Sequence, residues 1–203
     1  MEGFRPVRIG LVGYGKGGRF FHAPLIAAAA GCELTGVVTR SAERRDDLEH
    51  DYPGTPAYDG LAELASAGVD AVAISTPADT HVPLVLEAVS LGLPVVCDKP
   101  FALQSAAARQ ALEAARRAGV PLTVVPREQW GRLHAGHTTR LWPSERGDWT
   151  EFYTSFADAV RGRGAVPVDP WDAVAGLEVL EAAQRSAATG QVVTLGPGTA
   201  AQT

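Results

Sequence analysis

Cysteine is scarce: Cys32 and Cys97 are the only two in 203 residues, which excludes a disulfide-stapled scaffold. Both lie beside expected strands, where a thiol behaves as a small buried hydrophobe, so they are expected to be free. No stretch approaches the roughly 20 apolar residues of a membrane helix, and Met1–Pro6 lacks the apolar core of a signal peptide. The chain therefore reads as cytoplasmic, without a membrane partner. Lys and Arg do not cluster and the net charge is −5, so nothing attracts nucleic acid. There is no GxSxG elbow and no P-loop. His134-x-x-His137 has metal-ligand spacing, but no Cys or carboxylate completes a site, and no metal is expected.

Glycine, in contrast, is abundant, with 22 residues beside 14 prolines, and β-rich runs alternate with helical patterns in the first half. That rhythm predicts an α/β fold, a Rossmann doubly wound parallel sheet with a short helical C-terminal tail. The expected order is strand Val7–Val12, a helix over 19–30, strand Glu33–Val38 and a helix over 42–50 capped by Ser41. An edge strand at Ala57–Tyr58 and strand Val69–Ser75 follow, the latter apolar enough to be buried on both faces. A helix over 81–91, strand Val95–Cys97, a helix over 102–118 and strand Leu122–Val125 complete six strands.

Beyond Pro126 the pattern changes, dividing the chain into a dinucleotide-binding domain (1–126) and a C-terminal segment (127–203). Residues 127–148 mix Gly, Trp, His and Arg without a period and read as an irregular connector. One amphipathic helix then carries Phe152, Tyr153, Phe156 and Val160 on a face. Asp169-Pro170 opens a second helix with Val174, Leu177, Leu180, Ala183 and Ala187 as its stripe, and Gly190 ends it. Val192–Leu195 can supply a last strand. Apolar tail helices and a sheet edge short of cover make a homo-oligomer plausible.

The chemistry is carried by Gly13-Tyr14-Gly15-Lys16-Gly17-Gly18, placed directly after a strand and opening a helix. There Gly13 makes the tight turn, Gly15 lets a pyrophosphate approach the backbone, and Gly18 lets helix and strand pack closely. The helix N-terminus adds unpaired N–H groups for the anion. The second strand ends Thr39-Arg40-Ser41, with no carboxylate for a ribose. Arg40, helped by Arg44 or Arg45, suits a 2′-phosphate, which favours NADP while leaving NAD open. Thr76, Pro77, Thr80 and His81 after the fourth strand, and Asp98 and Lys99 after the fifth, lie at the carboxyl edge, where ligands bind in open α/β sheets. Lys99 is the candidate acid/base. Beside a cationic nicotinamide and partly desolvated, it would exchange a proton with a substrate hydroxyl.

These residues resemble the family of glucose-fructose oxidoreductase, inositol dehydrogenase and MocA-like proteins. The resemblance rests on the glycine loop, on Thr76-Pro77-Ala78-Asp79-Thr80-His81 and on Asp98-Lys99-Pro100, where the family more often has Glu before Lys-Pro. It implies NAD(P)-dependent hydride transfer on a sugar, cyclitol or polyol substrate, with Lys99 near the reacting carbon. The tail from Phe152 to Thr189 reads like the family's closing segment. The family's large β-sheet and its Asp-x-x-x-His pair have no counterpart here, which implies a deletion near Pro126–Arg127. Three functions compete: an oxidoreductase, a dinucleotide-binding module without turnover, and a regulatory subunit that docks through its cofactor face.

Overall fold

A computed structural model describes residues 5–124 and 149–195, and the backbone alone at 132–135 and 138–141. Six strands form one parallel sheet, β1 (Val7–Val12), β2 (Cys32–Val38), β3 (Ala57–Tyr58), β4 (Ala71–Ile74), β5 (Val95–Cys97) and β6 (Leu122–Val124), in the order β3-β2-β1-β4-β5-β6. Every described ladder in this sheet is parallel. The order reverses between β1 and β4, and in such sheets the crevice at the reversal is where ligands sit.

Successive side chains of β1, β4 and β5 alternate between two apolar layers, as the pleat requires. Ile9, Leu11, Ala71, Ala73 and Val96 face one core, which holds α1 (Ala23–Ala28), Leu48 of α2 (Ala42–Asp51), and Tyr153, Phe156 and Ala157 of a tail helix. Val12, Val72, Ile74, Val95 and Cys97 face the other, beneath α3 (Leu61–Ser66), α4 (His81–Ser90) and α5 (Ser105–Ala118). The tail supplies α6 (Trp149–Val160) to the first layer and α7 (Pro170–Thr189) to the second, where Val174 is buried. Both tail helices therefore share the cores of the sheet.

Local chemistry explains most element ends. Ser41 accepts the Arg44 amide at 3.4 Å to cap α2, and Asp169 accepts the Trp171 amide at 3.0 Å ahead of Pro170. Gly119 and Gly190 close α5 and α7 in the left-handed conformation. Thr123 Oγ1 donates to the Val168 carbonyl at 2.9 Å, tying β6 to the tail.

Several expectations are corrected. The alternating pattern gave no sign of α3, whose six residues are too few for a helical period. Leu64 packs flat on the sheet because Gly10 and Gly36 leave room, a Cβ on either coming within 2.5 and 2.8 Å of its methyls. The first helix opens as a π-turn over Gly18–His22 and ends at Ala28, earlier than expected. Helix α5 begins at Ser105 instead of 102, because the Glu181 carboxylate of α7 caps the Ser105 amide at 2.6 Å and its hydroxyl at 2.7 Å. The connector is not irregular throughout: β7 (Arg132–Ala135) and β8 (Thr138–Leu141) form an antiparallel pair, which its mixed composition concealed.

In α7 the expected stripe holds only in its first half. Val174 is buried and Leu177 packs against the same core, but Leu180, Ala183 and Ala187 are exposed, and further contact comes through Trp171, Glu178, Glu181 and Ala182. Polar anchors on α5 select that face: Arg109 pairs with Glu178, and Ser105 with Glu181. Val192–Leu195 forms no strand. Both cysteines are free thiols, Cys97 buried and Cys32 half-buried. Val125, the rest of 127–148 and the side chains of His134 and His137 lie outside the described residues.

Candidate dinucleotide site

The end of β1 turns sharply at Gly13, which has φ +100 and would press a Cβ to 2.4 Å from the Ser75 carbonyl oxygen. Only glycine fits there. At Gly18 a Cβ would meet the Gly13 carbonyl oxygen at 2.1 Å, so helix and strand are in direct backbone contact. Gly15 is the opposite case. Its Cβ position is open, the nearest side-chain atom being Nη2 of Arg44 at 4.0 Å. A loop whose outer glycines are packed tight and whose middle one faces open space has the shape to take an anion on bare amides. A Cβ on Gly17 would meet Ser75 Oγ at 2.7 Å and Asp98 Oδ2 at 3.2 Å, so the loop rests on these two side chains.

Tyr14 and Lys16 part company. The Tyr14 ring is buried and its hydroxyl donates to Asp51 at 3.1 Å, so only its backbone can meet a ligand. Burial, then the Asp51 bond, push that hydroxyl above its ordinary value. Asp51 also accepts Arg19 Nε at 2.6 Å, and Arg19 reaches Asp47 at 2.5 Å. This cluster, which the sequence reading missed, clamps the glycine loop to α2. Lys16 is exposed at the loop.

A cleft of about 650 Å³ opens at the carboxyl edge between the ends of β1, β2 and β4. Gly13, Thr39, Arg40, Ser41, Arg44, Thr76, Pro77 and Thr80 line it, together with Asp59, Asp79 and Glu87. Arg45 does not: it donates Nε to the Thr39 carbonyl at 3.1 Å and pairs with Asp59 at 2.6 Å, acting as a strut under the end of β2. Arg40 donates Nε to the Asp59 carbonyl at 2.9 Å, which holds its guanidinium at the cleft.

On the other side of the reversal the strand ends are cross-tied. Thr80 Oγ1 bonds Thr76 Oγ1 at 2.7 Å. His81 is buried, and its ring nitrogens lie 2.8 Å from the Thr76 carbonyl and 2.9 Å from the Pro100 carbonyl. It is thus a bolt between two loops and not a cleft-lining group. Asp98 accepts the Lys99 amide on Oδ1 at 2.8 Å and the Ser75 hydroxyl on Oδ2 at 3.2 Å. Burial raises the Asp98 carboxyl, but His22 beside it and these two donors outweigh that and hold it below its ordinary value. Lys99 is exposed at the end of β5.

His22 and Tyr153 were also missed. His22 is wholly buried, four residues after Gly18, with Nδ1 2.6 Å from the Tyr153 hydroxyl. A histidine on the inward face of a helix that opens at a glycine loop was the available signal.

Fold and cleft together define a Rossmann-type α/β protein with its binding edge at the strand reversal. Residues 7–125 match the oxidoreductase family Gfo/Idh/MocA, NAD-binding Rossmann fold, and residues 113–195 match that family's C-terminal α/β domain. The chain belongs to the Gfo/Idh/MocA oxidoreductases.

It is 37% identical over 164 residues to the uncharacterized oxidoreductase YdgJ of Escherichia coli, covering 71% of this chain and 46% of that protein. Inositol 2-dehydrogenase 4 of Saccharopolyspora erythraea is 34% identical, over 60% of this chain and 36% of its own. The chain thus spans less than half the length of these relatives. Among solved structures, an oxidoreductase from Klebsiella pneumoniae superposes with TM-score 0.78 at 21% identity, over 96% of each chain, a likeness of fold alone.

Proposed function

We propose that the chain binds NADP(H) and serves hydride transfer on a sugar, cyclitol or polyol, with Lys99 as proton donor or acceptor. The observation that carries the binding reading is the open position over Gly15, between glycines that no Cβ could replace. The loop amides and Lys16 would hold the diphosphate, and Thr76, Pro77, Asp98 and Lys99 would flank the nicotinamide. Bound there, the cofactor would supply the hydride acceptor or donor. Arg40 and Arg44 at the cleft favour a 2′-phosphate, since the carboxylate of Asp59 beside them is taken up by Arg45. Thr39, Arg40 and Ser41 therefore form the specificity corner. Lys99, as the neutral amine, would take the proton of a substrate hydroxyl as hydride leaves the same carbon for the nicotinamide, and as the ammonium it would return that proton in the reverse direction.

A second reading has its own support. Lys99 is exposed, and hydride transfer needs a substrate held close with water kept out. On that reading the chain binds the dinucleotide without turnover. Assay of a polyol panel with NADP+ separates the two: turnover that falls at least about a hundredfold in Lys99→Ala supports the oxidoreductase. NADPH binding with no turnover, unchanged by the substitution, supports the binding module. Arg40→Asp should move the NADPH/NADH affinity ratio towards NADH by about tenfold or more, and an unchanged ratio refutes the assignment of that corner.

A further inference from the structure

Two wholly buried groups, His22 and Tyr153, have no part in the chemistry above. Tyr153 comes from α6, far along the chain, yet its hydroxyl lies 2.6 Å from His22 Nδ1. The opposite ring nitrogen, Nε2, is 3.5 Å from Asp98 Oδ2. Burial pushes the Tyr153 hydroxyl well above its ordinary value, so it keeps its proton and donates it. Nδ1 is the acceptor in reach, which places the ring's own hydrogen on Nε2, towards Asp98. At 3.5 Å this falls short of a hydrogen bond. Among the described residues His22 Nε2 is indeed a buried nitrogen without a hydrogen-bond partner, a costly arrangement unless it faces negative charge. Asp98 supplies that charge. Phe21 and Tyr153 pack edge-on against the rest of the ring.

We propose that Tyr153 and His22 are positioning residues for Asp98. Tyr153 fixes the tautomer of His22, and Nε2–H holds the carboxylate beneath Gly17, where its other oxygen orients the Lys99 amide. Helix α6 is thereby part of the dinucleotide site, joined to it through the core. The close approach of Gly17 to Ser75 Oγ and Asp98 Oδ2 makes this carboxylate the floor of the glycine loop. Released from the ring, Asp98 can rotate towards solvent, and the loop and the Lys99 strand end lose a shared support. The effect on cofactor binding rests on the reading of the cleft given above; the tautomer does not.

Nitrogen NMR of the imidazole in the cofactor-free protein reads the tautomer directly. The expected wild-type signal is a bare Nδ1 and a protonated Nε2, and Tyr153→Phe, which removes one oxygen, abolishes that single-tautomer signature. NADPH titration by fluorescence then compares variants. Tyr153→Phe and His22→Leu weaken binding about tenfold. His22→Gln, whose carbonyl can accept from Tyr153 while its amide donates to Asp98, stays within about twofold of wild type. A wild-type ring protonated on Nδ1, or equal affinities for the Gln and Leu variants, overturns the proposal. Should His22→Leu not fold, Tyr153→Phe against wild type decides it. Should wild type bind no NADPH, the reading of the cleft fails. Carbon NMR titration of Asp98 then decides the positioning role, supporting it if Tyr153→Phe raises the carboxyl pKa and overturning it if nothing moves.

Discussion

Gly13 and Gly18 are where one added carbon meets a backbone carbonyl oxygen, at 2.4 and 2.1 Å, whereas Gly15 has room. Backbone cannot yield as a flexible side chain can, so Gly18→Ala should cost about 3 kcal/mol, the upper end of overpacking. Gly15→Ala should leave the unfolding midpoint nearly unchanged and weaken NADPH about tenfold or more, since its methyl occupies the anion's space. Urea unfolding beside NADPH titration checks the pair. Equal losses of stability in both variants would contradict the division of labour between these glycines.

The packing roles of Gly13 and Gly18 were legible from the motif in its place between strand and helix, because a GxGxxG there has few ways to fold. The choice between Arg44 and Arg45 was not: they are adjacent in sequence, and only the Arg45 contacts with Thr39 and Asp59 show which is the strut. Tyr14, His81 and Lys99 show the same limit. The motif located them, but burial of the first two and exposure of the third depend on distant chain.

Among elements, the strands were readable because β4 and β5 are buried on both faces and therefore uniformly apolar. Helix α6 was readable too, its Tyr153 and Phe156 forming the inward face expected from their spacing. The ends of helix α7 were readable from Asp169-Pro170 and Gly190, but its docking face was readable only at Val174 and Leu177, because the rest uses Glu178 and Glu181, and period counting ignores carboxylates that meet partners. Phe156 is wholly buried against the layer that holds Ile9 and Ile26. Phe156→Ala should therefore cost about 3–5 kcal/mol in denaturant unfolding. A loss below about 1 kcal/mol would mean that α6 is not an integral part of this core.

At the scale of the molecule, burial sets the response to alkali. It pushes the Cys32 thiol from its ordinary 9.0 to about 11, and raises the Cys97, Tyr14 and Tyr153 groups as well. Each keeps its proton in the fold longer than in the unfolded chain. Stability is therefore full below the unfolded values and falls as pH rises through the folded ones. For Cys32 that window runs from 9.0 to about 11. Cys32→Ser should flatten this part of the stability curve measured by urea unfolding, while an unchanged slope would show that the thiol ionises freely.

Dinucleotide binding by this chain requires the sheet reversal and the glycine loop to act together as a phosphate-binding edge. Fluorescence titration of the wild-type protein with NADPH, repeated with Gly15→Ala, tests this most directly. Saturable binding by wild type and its marked weakening in the folded variant is the predicted result. A folded wild-type chain that gives no saturable NADPH or NADH signal would contradict it.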